Sequence, residues 1–139
     1  MAKGAEKTGR NPDEVALKGV LICAISADRA QARREAAAQI AFYVAPKAYT
    51  PVMEASGFAR ETAEIQAAFQ RKDHDGMVAA VSDEMLGQMA ATGTPDEVRD
   101  QVALLEKRYD HAALYSPSFT LSPERVRENT AAIIEVFAR

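Results

Sequence analysis

The stretch "GTPDEVRDQVALL", Gly93 to Leu105, decides how the rest of the chain is read. Thr94 is an N-cap by type, because its hydroxyl accepts from the free N–H groups of a first helical turn. Pro95 falls at the first helical position, where a missing N–H costs nothing. Glu97 stands three residues after Thr94 and completes a capping box. Asp96 and Glu97 also set negative charge against the positive end of the helix dipole. Val98, Val102 and Leu105 recur at i, i+4 and i+7 as one apolar stripe. The pattern predicts a helix over 95–108.

Outward from that helix, "HAALYS", His111 to Ser116, is a short apolar run closed by Pro117. It reads as a strand buried on both faces, as in a parallel sheet, although its length also fits a piece of helix. "SPERVRENTAAIIEVFAR" then repeats the start signal, with Ser122 as cap, Pro123 first and Glu124 next. Val126, Ile133, Ile134 and Phe137 form its apolar face, predicting a helix over 123–138. Helix, strand, helix is the repeating unit of a parallel α/β protein.

Towards the N-terminus, "ALKGVLICAIS", residues 16–26, is rich in Val, Ile and Leu and more continuous than alternating, so it predicts a second strand buried on both faces. Asp28 and Gln31 make another capping box, opening an alanine-rich helix that runs to about Val44. Between Pro46 and Ala91 only short helices are predicted. Gly57 closes one as a C-cap, and Asp75 and Ser82 are the expected caps of two more. "AEKTGRNPDEV" reads as a loop. The fold class is therefore helix-dominated α/β in a single domain over 1–139. It has a strand at 16–26, a helical region at 28–91, a helix at 95–108, a strand at 111–116 and a helix at 123–138. Two strands make a poor sheet by themselves, and both look written for the interior of a larger one.

The chain has 139 residues and a net charge of −3 with both signs interspersed, which argues against a clustered basic face and so against nucleic acid. Its apolar run near the N-terminus is about ten residues long, too short to span a bilayer, and "MAKGAEKTGR" lacks the apolar segment of a signal peptide. The single cysteine, Cys23, excludes an intrachain disulfide and points to a reducing compartment. These features lead to the expectation of a cytoplasmic protein.

Taken in order, "GAEKTGRNPDEV", the buried strand, "DRAQARREAAAQIAFYV", "GTPDEVRDQVALLEK" and "HAALYSP" resemble the C-terminal part of luciferase-like monooxygenases. The nearest branch is similar to the methylene-tetrahydromethanopterin reductases, which use coenzyme F-420 or a flavin. The resemblance implies the end of a (β/α)8 barrel: seventh strand, helical insertion, seventh helix, eighth strand and closing helix. A whole barrel takes about 250 residues, so the chain corresponds to the last two-fifths of such a protein. Most residues that grip FMN or F-420 in the family lie on earlier strands, an N-terminal barrel portion that this sequence does not contain. The resemblance thus implies ancestry in flavin- or F-420-dependent hydride transfer or monooxygenation, with no catalytic residue carried over and no tight cofactor binding by this chain alone. The alternative is a non-catalytic helical interaction module derived from the barrel.

Barrel sites lie at the C-terminal ends of strands. Here those ends carry Ser26 and Asp28 after the first strand and Ser116 and Ser118 after the second, the four candidate cofactor-binding residues. Their hydroxyls and N–H groups are suited to a phosphate, and the Asp28 helix N-terminus favours anions. Asp28 is itself anionic, however, and capping is its simpler role. His74 reads as a solvated turn residue, and His111 opens the second strand at the end away from chemistry. Cys23 reads as a small core residue. Arg33, Arg34 and Glu35 read as a solvated helix face, and Met77, Met85 and Met89 as core filler. Phe42, Tyr43 and Tyr49 suit a pocket, but packing is the usual work of helical aromatics. No zinc spacing and no phosphate-loop motif occurs. Two strands with unpaired edges and uncovered apolar faces lead to the expectation of a homo-oligomer, most simply a two-fold dimer.

Overall fold

The computed structural model describes residues 2–105 and 109–138. Strand β1 (Lys18–Ile25) lies at the centre of a three-stranded parallel sheet, flanked by β2 (Ala90–Gly93) and β3 (His111–Tyr115). The two neighbours share β1 almost end to end. Lys18 to Ile22 stand opposite His111 to Tyr115, and Ile22 to Ile25 stand opposite Ala90 to Gly93.

From Leu21 to Ile25, β1 is buried on both faces, as its unbroken apolar run requires. Ile22 and Ala24 join one core with α2 (Arg29–Val44), α3 (Thr50–Ala55), α4 (Ala59–Gln70), α5 (His74–Ala79) and α6 (Asp83–Met89). Leu21, Cys23 and Ile25 join the other with α7 (Pro95–Leu105) and α8 (Pro123–Phe137). The covering helix α2 buries Ala32, Ala36, Ala37, Ala38 and Ala41, small side chains that let it lie close to both the strands and its helical neighbours. Coverage stops short of the strand's start, where Val20 is 72% exposed.

Local cap chemistry places the helix ends. Thr94 N–H donates to Glu97 Oε2 at 2.8 Å, and the Thr94 hydroxyl accepts from Glu97 N–H at 3.5 Å, so the expected box is present with its Glu half the tighter. Ser122 accepts from Arg125 N–H and Ser82 from Met85 N–H. Gly57, at φ +91°, follows α3 in a Schellman turn: Phe58 N–H reaches Met53 O and Gly57 N–H reaches Glu54 O. α7 is described to Leu105, and the expected continuation over 106–108 lies outside the described residues.

Five expectations change. β2 occupies part of the segment read as helical to residue 91; four residues with only Thr92 β-branched carry too little pattern to mark a strand. The segment read as a loop, 5–15, takes in the end of α1 (Ala2–Thr8) and a 3-10 turn at Pro12–Glu14; Ala, Lys and Glu are good helix formers, and Gly9 at φ +65° ends the helix. Strand β3 is an edge strand with half-exposed residues and not one buried on both faces. Asp73, not Asp75, caps α5 by accepting from Gly76 N–H at 2.8 Å. On α8, Ile134 faces out at 59% exposure, and the buried positions are Asn129 and Ile133.

Candidate functional site

The loops that leave the C-terminal ends of β1 and β3 meet over a cluster of polar side chains supplied by α2 and α8. Its deepest member is Asn129, fully buried. Asn129 Nδ2 donates to Cys23 O at 2.7 Å, and Asn129 Oδ1 accepts from Ile25 N–H at 2.6 Å. That pair of bonds is what a residue of a parallel neighbour makes to the positions on either side of its partner. The register of β3 would place Pro117 there, opposite Ala24. Proline has no N–H to give. The Asn129 amide therefore takes over one position of the ladder where β3 has to stop. Nδ2 also donates to Ser116 Oγ at 2.8 Å.

The second member is an ion pair. Arg125 grips Glu35 with two parallel bonds, Nε to Oε1 at 2.7 Å and Nη2 to Oε2 at 2.9 Å, and Nη2 also donates to Ile25 O at 2.8 Å. Gln31 Nε2 donates to Glu35 Oε1 at 2.8 Å. Glu35 is 6% exposed, so the sequence reading of a solvated Arg33–Arg34–Glu35 face is corrected at its last residue. Arg33 pairs across to Asp83 at the surface. The hydrogen-bonded Glu35 carboxylate holds the Arg125 guanidinium above its ordinary pKa. The third member is Gln39, 2% exposed, whose Oε1 accepts from Ser118 N–H at 2.7 Å and Phe119 N–H at 3.0 Å.

The four strand-end candidates all lie on this rim, and the fold engages the Ser26 and Ser116 hydroxyls, one Asp28 carboxylate oxygen and the Ser118 backbone N–H. Ser26 Oγ donates to Gln31 Oε1 at 3.2 Å and accepts from Asp28 N–H at 3.1 Å. Asp28 caps α2 through Ala30 and Gln31 N–H, so Gln31 turns away from the expected box and Ser26 fills its return half. Ser116 is held by Asn129, and Ser118 by Gln39. Beside them opens a hollow of about 570 Å³ whose lining includes Arg33, Arg34, Glu35, Asp75 and Thr120. Thr120 sits at φ +66°, costly for a β-branched residue and tolerable because the loop is pinned by Gln39 on one side and the α8 cap on the other.

Elsewhere, Cys23 is fully buried and its thiol is pushed up to about 12 by that burial. His74 is exposed, edge-on to Phe119, and Phe119 stacks on Phe42. His111 stands at the N-terminal end of β3. Met77 and Met85 fill the core. Among the described residues no group of three His, Cys, Asp or Glu is placed to hold a metal ion, and no helix is long and apolar enough to cross a membrane. Sequence reasoning missed Asn129, Glu35 and Gln39. The available signal was their spacing: Asn129 lies four residues before Ile133 in the apolar stripe, and Glu35 and Gln39 lie among the buried alanines of α2.

Among known proteins, the family model for luciferase-like monooxygenases matches residues 1–112. The chain is also 29% identical over 109 residues to 5,10-methylenetetrahydromethanopterin reductase of Archaeoglobus fulgidus. That alignment takes in 75% of this chain and 32% of the relative, so the aligned region spans about a third of the relative's length.

Proposed function

This chain belongs to the luciferase-like monooxygenase family, and we propose that it serves as the closing structural portion of a flavin- or F-420-dependent oxidoreductase barrel and is not a catalytic unit by itself. The helix-dominated α/β architecture with its short parallel sheet is consistent with part of such a barrel, although β1 here lies between β2 and β3 where a closed barrel sets its strands side by side in chain order. The parent chemistry is hydride transfer through the cofactor or monooxygenation, and the reductase named above favours the first.

The observation that carries the non-catalytic reading is the inward commitment of the strand ends. Ser26, Asp28 and Ser116 spend side-chain polar groups on loops and caps, and Ser118 its backbone N–H. The adjoining hollow sets Arg33 and Arg34 against Glu35 and Asp75, a balance of charge that does not fit the phosphate of FMN or the phosphodiester of F-420. In this reading the four residues shape the two loops. Titration of the chain with FMN and with F-420, followed by fluorescence, tests it. No stoichiometric complex is expected in the micromolar range; one with Kd of about 1 μM, roughly −8 kcal/mol, overturns the reading.

A second reading, an interaction module, rests on β3. His111 N–H turns towards Leu17 O, just before β1, so alternation sends the backbone groups of Ala112 and Leu114 to the outer edge of the sheet. Such an edge accepts another strand, most simply from a second copy about a two-fold axis. Sedimentation at micromolar concentration is expected to give a dimer, and a 15.1 kDa species would refute it.

A further inference from the structure

The sheet face covered by α2 is left open over the first half of β1, and there the chain builds a second hollow. Its floor is Val20 and Tyr115, and its walls include Tyr43, Tyr49, Met53 and Met89. The volume is about 390 Å³, within the range of about 300–1,000 Å³ typical of small-molecule sites. We propose that this hollow binds an uncharged, flat aromatic molecule carrying carbonyl acceptors.

Three features of the lining select that chemistry. First, no charged side chain lines it among the described residues, so an ionic ligand would lose its hydration without compensation. Second, three phenol rings converge from different elements. The Tyr43 and Tyr49 rings are 6.4 Å apart and inclined at 51°, splayed so that they wall the space instead of filling it. Aromatic faces and polarizable methionines suit a planar ring. Third, the phenols supply donors. A phenol is protonated at neutral pH with its ordinary pKa of about 10, so the Tyr43 and Tyr49 hydroxyls on the walls can donate to a carbonyl, while Tyr115, its pKa raised by burial and then by its hydrogen bond with Tyr43, stays neutral on the floor. The rim stays open, with Val20 72% and Tyr49 43% exposed. The hollow adjoins the strand-end loops at Tyr115, one residue before Ser116, and extends away from the Asp28 cap. Asp28 and Tyr43 stand at opposite ends of α2, about 22 Å apart at 1.5 Å per residue.

Nile red, an uncharged fused aromatic with a carbonyl, is the probe. Titration of the wild-type chain is expected to give a saturable one-to-one complex with a blue-shifted emission. Val20→Lys, at a mostly exposed position that the fold tolerates, should weaken it at least tenfold. Tyr49→Leu, which keeps the apolar surface and removes a hydroxyl, should weaken it several-fold. Ile134→Lys, on the exposed face of α8, should leave it unchanged. Absence of a saturable complex, equal binding by Val20→Lys, or equal loss in Ile134→Lys would each overturn the proposal. So would a wild-type dimer that binds no probe and that Val20→Lys converts to monomer, which would assign the hollow to a second copy of the chain.

Discussion

Replacing Asn129 by Leu keeps the side-chain volume close to that of the amide and removes its hydrogen bonds. Cys23 O and Ile25 N–H then lose their partners in the interior, since Pro117 has no N–H to offer in the same register. Each orphaned buried group costs about 1–3 kcal/mol, so the variant should lose roughly 2–6 kcal/mol, a large part of the 5–15 kcal/mol typical of a domain. Urea unfolding measures it: the midpoint should fall by something of order 2 M with the m-value unchanged. Asn129→Asp sharpens the test. A protonated carboxyl can still donate to Cys23 O and accept from Ile25 N–H, whereas an ionised one cannot donate. The introduced carboxyl therefore has a folded pKa raised above its unfolded value of about 3.9. Its stabilising contribution is full below that unfolded value and is lost as pH rises through the folded one. Relative to wild type, Asn129→Asp should be least damaged near pH 4 and most damaged near pH 7. An Asn129→Leu loss under about 0.5 kcal/mol, or an Asn129→Asp penalty that does not change with pH, would refute the ladder-replacement argument.

Arg125→Met should cost about 3–5 kcal/mol in the same assay, because it leaves the Glu35 carboxylate buried without its cation; adding Glu35→Gln should recover part of that loss, and no recovery would show that the pair is not the cause. Gly93→Ala should cost about 1–3 kcal/mol, since Gly93 sits at φ +133° and a Cβ there would come within 2.5 Å of Glu97 Oε2, the acceptor of the α7 capping box; a neutral result would place the helix start elsewhere. The Cys23 thiol, raised to about 12 from 9.0, should be silent to Ellman's reagent at pH 8 in the native chain and react once urea unfolds it. The same shift gives stability that is full below pH 9.0 and is lost towards 12, so alkaline unfolding should be delayed in a Cys23→Ala variant that is otherwise folded.

What the sequence disclosed is local, and what it concealed is not. Thr94, Ser122, Asp28 and Ser82 could be read as helix starts because each cap bonds within three residues of itself. β1 could be read because both of its faces are apolar. β2 could not, because its pairing with β1 spans some seventy residues of chain and leaves no period in "AATG". Glu35 looked solvated because its partner, Arg125, comes from a helix 90 residues away. Ser26 and Ser116 were rightly placed at strand ends, but their internal bonds depend on Gln31 and Asn129, whose directions only the packed helices fix.

Side-chain amides do the work of strands at one end of this sheet and leave the other end bare. Gln101 on α7 bonds both backbone groups of Thr92, accepting from its N–H at 3.0 Å and donating to its C=O at 2.9 Å. Thr92 lies on β2 with its backbone turned from β1, because Gly93 O next to it faces β1 and receives Ser26 N–H. Gln101 therefore closes the outer edge of β2 just as Asn129 extends the ladder of β1 beyond Pro117. Both amides sit at the C-terminal ends of the strands, so those ends are finished by this chain's own helices. The outer edge of β3 around Ala112 and Leu114 has no such amide among the described residues. An additional strand, whether from a second copy or from more of a barrel, would meet this sheet along β3, and a docked strand should protect the amides of Ala112 and Leu114 from hydrogen exchange. Exchange at those two positions as fast in the assembled protein as in the dilute chain would remove β3 as the joining edge.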